Sequence, residues 1–136
     1  GARLQIGEAR DRSLPDLIAV PPQRNTLSVI PGPHLERFAS TALQLLTSTQ
    51  WTVENNSRVG VRLAGGNIEL GDGSASAASE PMVVGALQVP PSGSPIILGR
   101  EHPVTGGYPV IAVVDDASMS QALGAAIGTT LSFRLG

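Results

Sequence analysis

The sequence predicts a mostly β protein, a closed or partly closed antiparallel barrel with one or two short helices. Three observations predict it. Short apolar segments recur between clusters of glycine, proline and small polar residues, and several of them alternate apolar with polar positions. No regular succession of strands and long helices supports a doubly wound sheet. The 136 residues match one ordinary domain and can bury about two-thirds of the unfolded surface.

In chain order, Leu4 and Ile6 alternate with polar neighbours as a short strand would. Residues 8–23 carry charges and Pro15, Pro21 and Pro22 without periodicity, which reads as a linker or extended arm. The domain then begins near Thr26, with a strand at Leu27–Ile30 stopped by Pro31-Gly32-Pro33. From His34 to Thr47, Leu35, Phe38, Ala39, Ala42, Leu45 and Leu46 recur at helical spacing, so one helix is expected there. Trp51–Val53 reads as a strand. Over Ser57–Leu63, Val59, Val61 and Leu63 are expected on the core side, with Arg58, Gly60 and Arg62 opposite.

A short strand at Asn67–Leu70 lies between Gly65-Gly66 and the Gly71-Asp72-Gly73 turn, and residues 75–78 form a small-residue loop. Two apolar segments, Met82–Val89 and Ile96–Leu98, flank a loop of Pro90, Pro91, Ser92, Gly93 and Pro95. A third, Pro109–Val114, follows Gly106-Gly107, and the three form one sheet unit. A short helix over Ala117–Ala126 is expected to turn Met119, Leu123 and Ile127 inward, with Asp115 or Asp116 at its start and Gly128 at its end. Leu131, Phe133 and Leu135 alternate in a closing strand.

Composition excludes several classes of function. The net charge is −2, the nine basic residues are scattered and aromatics make up 3%, leaving neither a phosphate-neutralising face nor a base-stacking platform. No apolar run approaches the ~18 residues of a membrane span. The absence of cysteine excludes disulfide and thiol chemistry and suits a reducing, cytoplasmic setting. GARLQIGEARDRS has no apolar signal core and no preceding methionine, so it reads as neither a secretory signal nor a translation start, and a fragment or a processed chain is expected.

The Ser79–Val114 stretch sets isolated polar residues among turn formers and buried runs, a pattern that builds a site as well as a core. Arg58 and Arg62, with Gly60 leaving room between them, suit a grip on a carboxylate or a carbonyl oxygen gaining charge. The alternative is a solvated face or an ion pair with Glu69 or Glu80. Gln88, inside an apolar run, is either a structural tie or a substrate reader. Glu80 is best placed as a base, with Glu101 competing. Thr105, Gly106 and Gly107, beside Tyr108, allow positive φ or close approach to a ligand, and a tight turn is the alternative. His102 suits substrate binding or an exposed loop position. His34 and His102 have no second ligand at metal spacing, there is no Gly-x-Ser-x-Gly elbow, and no phosphate-loop lysine accompanies the glycines. Phe38 and Trp51 read as core.

SEPMVVGALQVPPSGSPIIL followed by TGGYPVIAVV resembles the signature of the allophanate hydrolase subunit 2 family, also known as the C-subunit family of 5-oxoprolinase. The same unit occurs as a carboxyltransferase subdomain of urea carboxylase/urea amidolyase. LSVIPGPH, NNSRVGVRLAG and IGTTLSFRL resemble further segments of that family in the same order, so the resemblance covers roughly Leu27 to Leu135. Pro81 stands where a glycine is usual, His102 and Pro103 replace an arginine-glutamine pair, and Val110 replaces a frequent lysine.

The resemblance implies a cyclophilin-like barrel, with residues 1–25 as the end of a preceding barrel plus linker arm and residues 26–136 as the carboxyltransferase-type domain of a C-terminal half. It implies a subunit of an ATP-dependent amide or lactam hydrolase of 5-oxoprolinase or allophanate hydrolase/urea amidolyase type. The expected partners are a cyclophilin-like subunit 1, the N-terminal barrel and a small amide, lactam or ureido substrate. No cofactor is expected on this chain; ATP, and biotin in the carboxyl-transfer version, belong to partner subunits, and the isolated fragment is expected to be inactive. Glu80 and Arg58 are assigned as catalytic. Arg62, Gln88, Thr105, Gly106, Gly107, Tyr108 and His102 are assigned as substrate-binding, with no metal. The competing reading is a non-catalytic regulatory module related to kinase-inhibitor antagonists; prolyl isomerase activity rests on fold alone.

Overall fold

A computed structural model of the chain describes residues 25–71 and 78–136, together with Arg3 and Gly7. The strand expected at Leu4 and Ile6, the arm over residues 8–23, the turn at Asp72-Gly73 and most of the small-residue loop lie outside the described residues.

The described strands are β1 (Thr26–Pro31), β2 (Trp51–Asn56), β3 (Gly60–Ala64), β4 (Glu80–Pro81), β5 (Ala86–Gln88), β6 (Ile96–Leu98), β7 (Thr105–Gly106), β8 (Val110–Val114) and β9 (Thr130–Leu135). The helices are α1 (Ala42–Ser48) and α2 (Asp116–Gly124). Seven strands close a barrel in the order β1-β8-β5-β6-β3-β2-β9, and β4 and β7, which are not consecutive in the chain, form a separate two-stranded sheet. The seam between β1 and β9 is parallel, with Leu27 opposite Phe133. Every other barrel pair is antiparallel.

Alternation explains the core. Leu27, Val29, Trp51, Val53, Val61, Leu63, Leu87, Ile97, Ile111, Leu131 and Phe133 fill the barrel and its ends. Trp51 is fully enclosed, and its indole N–H donates to the Leu46 carbonyl at 3.0 Å, so the polar edge of a large apolar ring is satisfied. A second, smaller cluster of Ala86, Leu98 and Val110 lies apart from this core, with Met82, Ile96 and Val113 packed against it.

Several expected elements differ from what forms. The single helix over His34–Thr47 is a 3-10 turn at Leu35–Arg37 followed, after a break, by α1. Phe38 causes the break: it is extended, pairs with Leu70 and buries its ring, so the pairing overrides the local 3.6-residue pattern. The Asn67–Leu70 strand is reduced to that one bridge. The Met82–Val89 strand contracts to β5 because the chain turns at Val84-Gly85.

The Ser57–Leu63 strand begins only at Gly60, and Val59 is 48% exposed in the turn before it. Helix α2 ends at Gly124, so Ile127 falls in the following turn and is 68% exposed, not inward. Gly128 belongs to that turn and does not end the helix.

Asp115 caps α2 by accepting the Ser118 backbone N–H at 2.8 Å. Hydrogen bonding from the Ser118 side chain, foremost, and from Ser28 holds its carboxyl below the ordinary aspartate value. The Ser118 hydroxyl in turn accepts the Ser28 backbone N–H at 3.0 Å, tying α2 to β1.

Candidate functional site

One row of directly paired residues crosses five strands of the barrel. Asn55 on β2 faces Arg62 on β3, Arg62 faces Ile96 on β6, Ile96 faces Gln88 on β5, and Gln88 faces Val110 on β8. Adjacent strands lie about 4.8 Å apart, so these side chains form a continuous ladder. Two irregularities shape it. The β2–β3 register shifts between Val53 and Asn55, and the β5–β8 register shifts between Leu87 and Gln88; a bulge re-aims the side chains beside it.

A cavity of about 250 Å³ opens along this row. Asn55, Ser57, Arg62, Gln88 and Tyr108 provide its polar side chains, and Val59, Ile96 and Leu98 are among its apolar walls. Arg62 is exposed, and its side chain makes no hydrogen bond or ion pair among the described residues. Gln88 is 7% exposed. Its Nε2 donates to Met82 Sδ at 3.0 Å and to the Tyr108 carbonyl at 3.3 Å, so the buried amide fixes its own orientation and the backbone of its neighbour.

Gly106 and Gly107 do not take positive φ. Gly106 is required for another reason: a Cβ there would stand 2.6 Å from Gln88 Nε2 and 3.1 Å from Met82 Cγ. Its close approach is therefore to Gln88. Positive φ occurs instead at Gly93, φ +75, where a Cβ would overlap the Asn67 side-chain oxygen.

The candidates from the sequence separate into three places. Arg62, Gln88 and Tyr108 meet at the cavity. Glu80, Thr105 and Gly106 belong to the two-stranded β4–β7 sheet, where Glu80 pairs with Gly106 and Pro81 with Thr105. Gly107 links β7 to Tyr108. Arg58 lies elsewhere: it sits in the β2–β3 turn, its side chain is 84% exposed, and it pairs with Glu101, not Glu69 or Glu80. The shared strand face expected for Arg58 and Arg62 does not form, because the strand starts after Arg58. Arg58, Arg100 and Glu101 instead border a wider depression of about 610 Å³ against Leu123, Ala125 and Ile127 at the end of α2. His102 turns its Nδ1 to the Pro103 carbonyl at 2.7 Å.

Two residues of the site stand outside the sequence-based candidates. Asn55 breaks the Trp51, Val53 alternation with a polar side chain, a signal visible in the sequence. His34 has no such pattern; only the fold brings it to Glu80, with Nε2 2.9 Å from Oε2, and to the Val110 backbone N–H, 3.0 Å from Nδ1. Among the described residues no group of three or more His, Asp or Glu side chains is placed to hold a metal ion. No described helix is long and apolar enough to cross a membrane.

Comparison with known proteins gives the lineage. Residues 1–135 match the family model for the carboxyltransferase domain, subdomain A and B. The chain is 33% identical over 132 residues to the C subunit of 5-oxoprolinase from Haemophilus influenzae, covering 95% of this chain and 42% of that protein. It is 30% identical over 135 residues to the C subunit of 5-oxoprolinase from Escherichia coli, covering 98% and 43%. The chain thus spans less than half the length of these curated relatives.

Among solved structures, a crystal structure of TTHA0988 superposes with a TM-score of 0.72 at 33% identity, covering 90% of this chain and 23% of that one. Kluyveromyces lactis urea carboxylase shares the fold, with a TM-score of 0.73 at 24% identity over 79% of this chain and 10% of that one. The closed barrel, the central motif and the match along 135 residues agree: the chain belongs to the family of carboxyltransferase domains, subdomain A and B.

Proposed function

We propose that the Arg62–Gln88–Tyr108 cavity binds the small substrate of a 5-oxoprolinase-type enzyme, this chain being part of one subunit that works with a subunit 1 partner. The observation that carries the reading is the convergence of Arg62, Gln88 and Tyr108, from three separate segments, on one cavity, in a chain 33% identical to the C subunit of a 5-oxoprolinase. The cavity, about 250 Å³, is just below the range of roughly 300–1,000 Å³ typical of drug-sized ligands and suits a ligand of few heavy atoms.

Each group has a task on 5-oxoproline. Arg62, without a protein partner among the described residues, binds the carboxylate through charge-assisted hydrogen bonds. Gln88 has committed its Nε2, which leaves Oε1 to accept the lactam N–H. The Tyr108 hydroxyl and the Asn55 amide are the donors available to the lactam oxygen, where charge develops as the carbonyl is attacked. Ile96, Leu98 and Val59 give the cavity apolar walls beside these contacts.

ATP on the partner subunit supplies activation of the lactam carbonyl. All nine basic residues of the sequence are arginine, which supports placing both nucleotide and biotin elsewhere: there is no phosphate-loop lysine and no amine to carry biotin. Glu80 remains a candidate for proton transfer within the full assembly, whereas Arg58, paired with Glu101 before β3, lies outside this cavity.

The test is reconstitution of the full-length protein with its subunit 1 partner. The expected result is 5-oxoproline-dependent ATP hydrolysis with glutamate release, lost in Arg62→Ala and Gln88→Ala while the complex stays assembled. A folded complex without this activity sinks the reading. Retained turnover with lost assembly in these variants favours an interaction module.

A further inference from the structure

We infer that His34 is a positioning residue whose neutral imidazole latches the two-stranded β4–β7 sheet through Glu80 and thereby sets the Gln88–Tyr108 wall of the cavity. The protonation state follows from the hydrogen bonds. The Val110 backbone N–H can only donate, and it points at His34 Nδ1 at 3.0 Å; Nδ1 is therefore the unprotonated nitrogen, and the ring proton is on Nε2. Nε2–H then donates to Glu80 Oε2 at 2.9 Å. The His34 side chain is 13% exposed and that of Glu80 48%, so the ring is fixed from the buried side while the carboxylate keeps contact with water. With Nδ1 occupied by a backbone donor and Nε2–H aimed at a carboxylate, His34 has no free basic nitrogen. Its action is through Glu80.

The path to the cavity is short and made of direct contacts. Glu80 is paired with Gly106 across the β4–β7 sheet. Gly106 rests against Gln88 Nε2, and Gln88 Nε2 holds both Met82 Sδ and the Tyr108 carbonyl. The Met82 N–H donates to the Val104 carbonyl at 2.9 Å, which continues the β4–β7 pairing by one residue. Val110, which orients the imidazole, is also the strand partner of Gln88. His34 and Gln88 are thus fixed by the same residue of β8 and meet again through the β4–β7 sheet. A two-residue pairing has little stability alone, and the His34–Glu80 bond anchors it from the β1 side.

This role serves the proposed substrate site and rests on that reading for its effect on ligand affinity, whereas the latch itself is read independently. In the full-length protein, nitrogen-15 spectra of the imidazole are expected to show a neutral ring protonated at Nε2. A proton on Nδ1 overturns the inference. Two variants divide the two bonds: His34→Gln keeps a donor near the Nε2 position, and His34→Asn keeps an acceptor near Nδ1 but cannot reach Glu80.

His34→Asn is expected to shift the side-chain amide resonances of Gln88 and the backbone resonance of Tyr108, and to weaken 5-oxoproline binding about tenfold; His34→Gln restores both. Unmoved Gln88 and Tyr108 signals in folded His34→Asn overturn the latch. If the unaltered protein binds no 5-oxoproline, the substrate reading fails, and the resonances still decide the latch.

Discussion

Gly106 lies so close to the side-chain amide of Gln88 that a single added carbon would stand 2.6 Å from Nε2. The space that a glycine leaves for a ligand to approach is here occupied by a neighbouring side chain, and that side chain belongs to the cavity. Gly106→Ala is therefore expected to displace Gln88, break its bond to Tyr108, and impair binding at the cavity more than stability. Because the obstructing atom ends a flexible side chain, the stability loss is expected near ~1 kcal/mol. Denaturant unfolding beside ligand titration checks the ratio; a large loss of stability with unchanged binding contradicts it.

The two arginines flanking Gly60 are expected to behave differently. Arg62→Ala removes a guanidinium without a protein partner among the described residues and is expected to raise KM for a carboxylate substrate roughly tenfold or more, with little change in Tm. Arg58→Ala removes an exposed pair with Glu101, expected to matter by less than about 1 kcal/mol. Kinetics and melting of both variants in the reconstituted complex test the division; equal kinetic losses would show that the two positions serve one site.

Asp115 makes part of the stability pH-dependent. Its folded carboxyl has a lowered pKa, chiefly through hydrogen bonding from Ser118, so the unfolded chain binds the proton more readily. The contribution is present above the unfolded value, about pH 4, and is lost as pH falls through the lower folded value. Asp115→Asn retains a capping oxygen without titrating in this range, and is expected to flatten the acid limb of the Tm-against-pH curve. Asp115→Ala should lower Tm by about 2–6 °C at neutral pH.

Trp51 joins packing to a hydrogen bond. Trp51→Phe leaves part of the enclosed site unfilled and removes the donor to the Leu46 carbonyl. The expected cost is about 1–3 kcal/mol, measured by denaturant unfolding. An unchanged midpoint would mean that neighbouring side chains collapse into the space.

Where a residue's neighbours along the chain decide its state, the sequence is sufficient. Alternation at Leu27–Ile30 and Leu131–Phe133, turn formers around Gly93, and the cap at Asp115 each act within a few residues, and the corresponding elements form. The family is legible for the same reason, since its motif is contiguous. Long-range pairing decides the rest: Leu70 draws Phe38 into an extended conformation and divides a helix that local spacing favours. Arg58 and Arg62 share a parity in the sequence but not a strand, because β3 begins between them.

The row from Asn55 through Arg62, Ile96 and Gln88 to Val110 depends on registers between five strands, and His34 reaches Glu80 across 46 positions of chain. Side-chain type and local periodicity are properties of short segments and can be read from them. Which polar groups share a cavity is set by barrel closure and bulged register, and only the folded chain decides that.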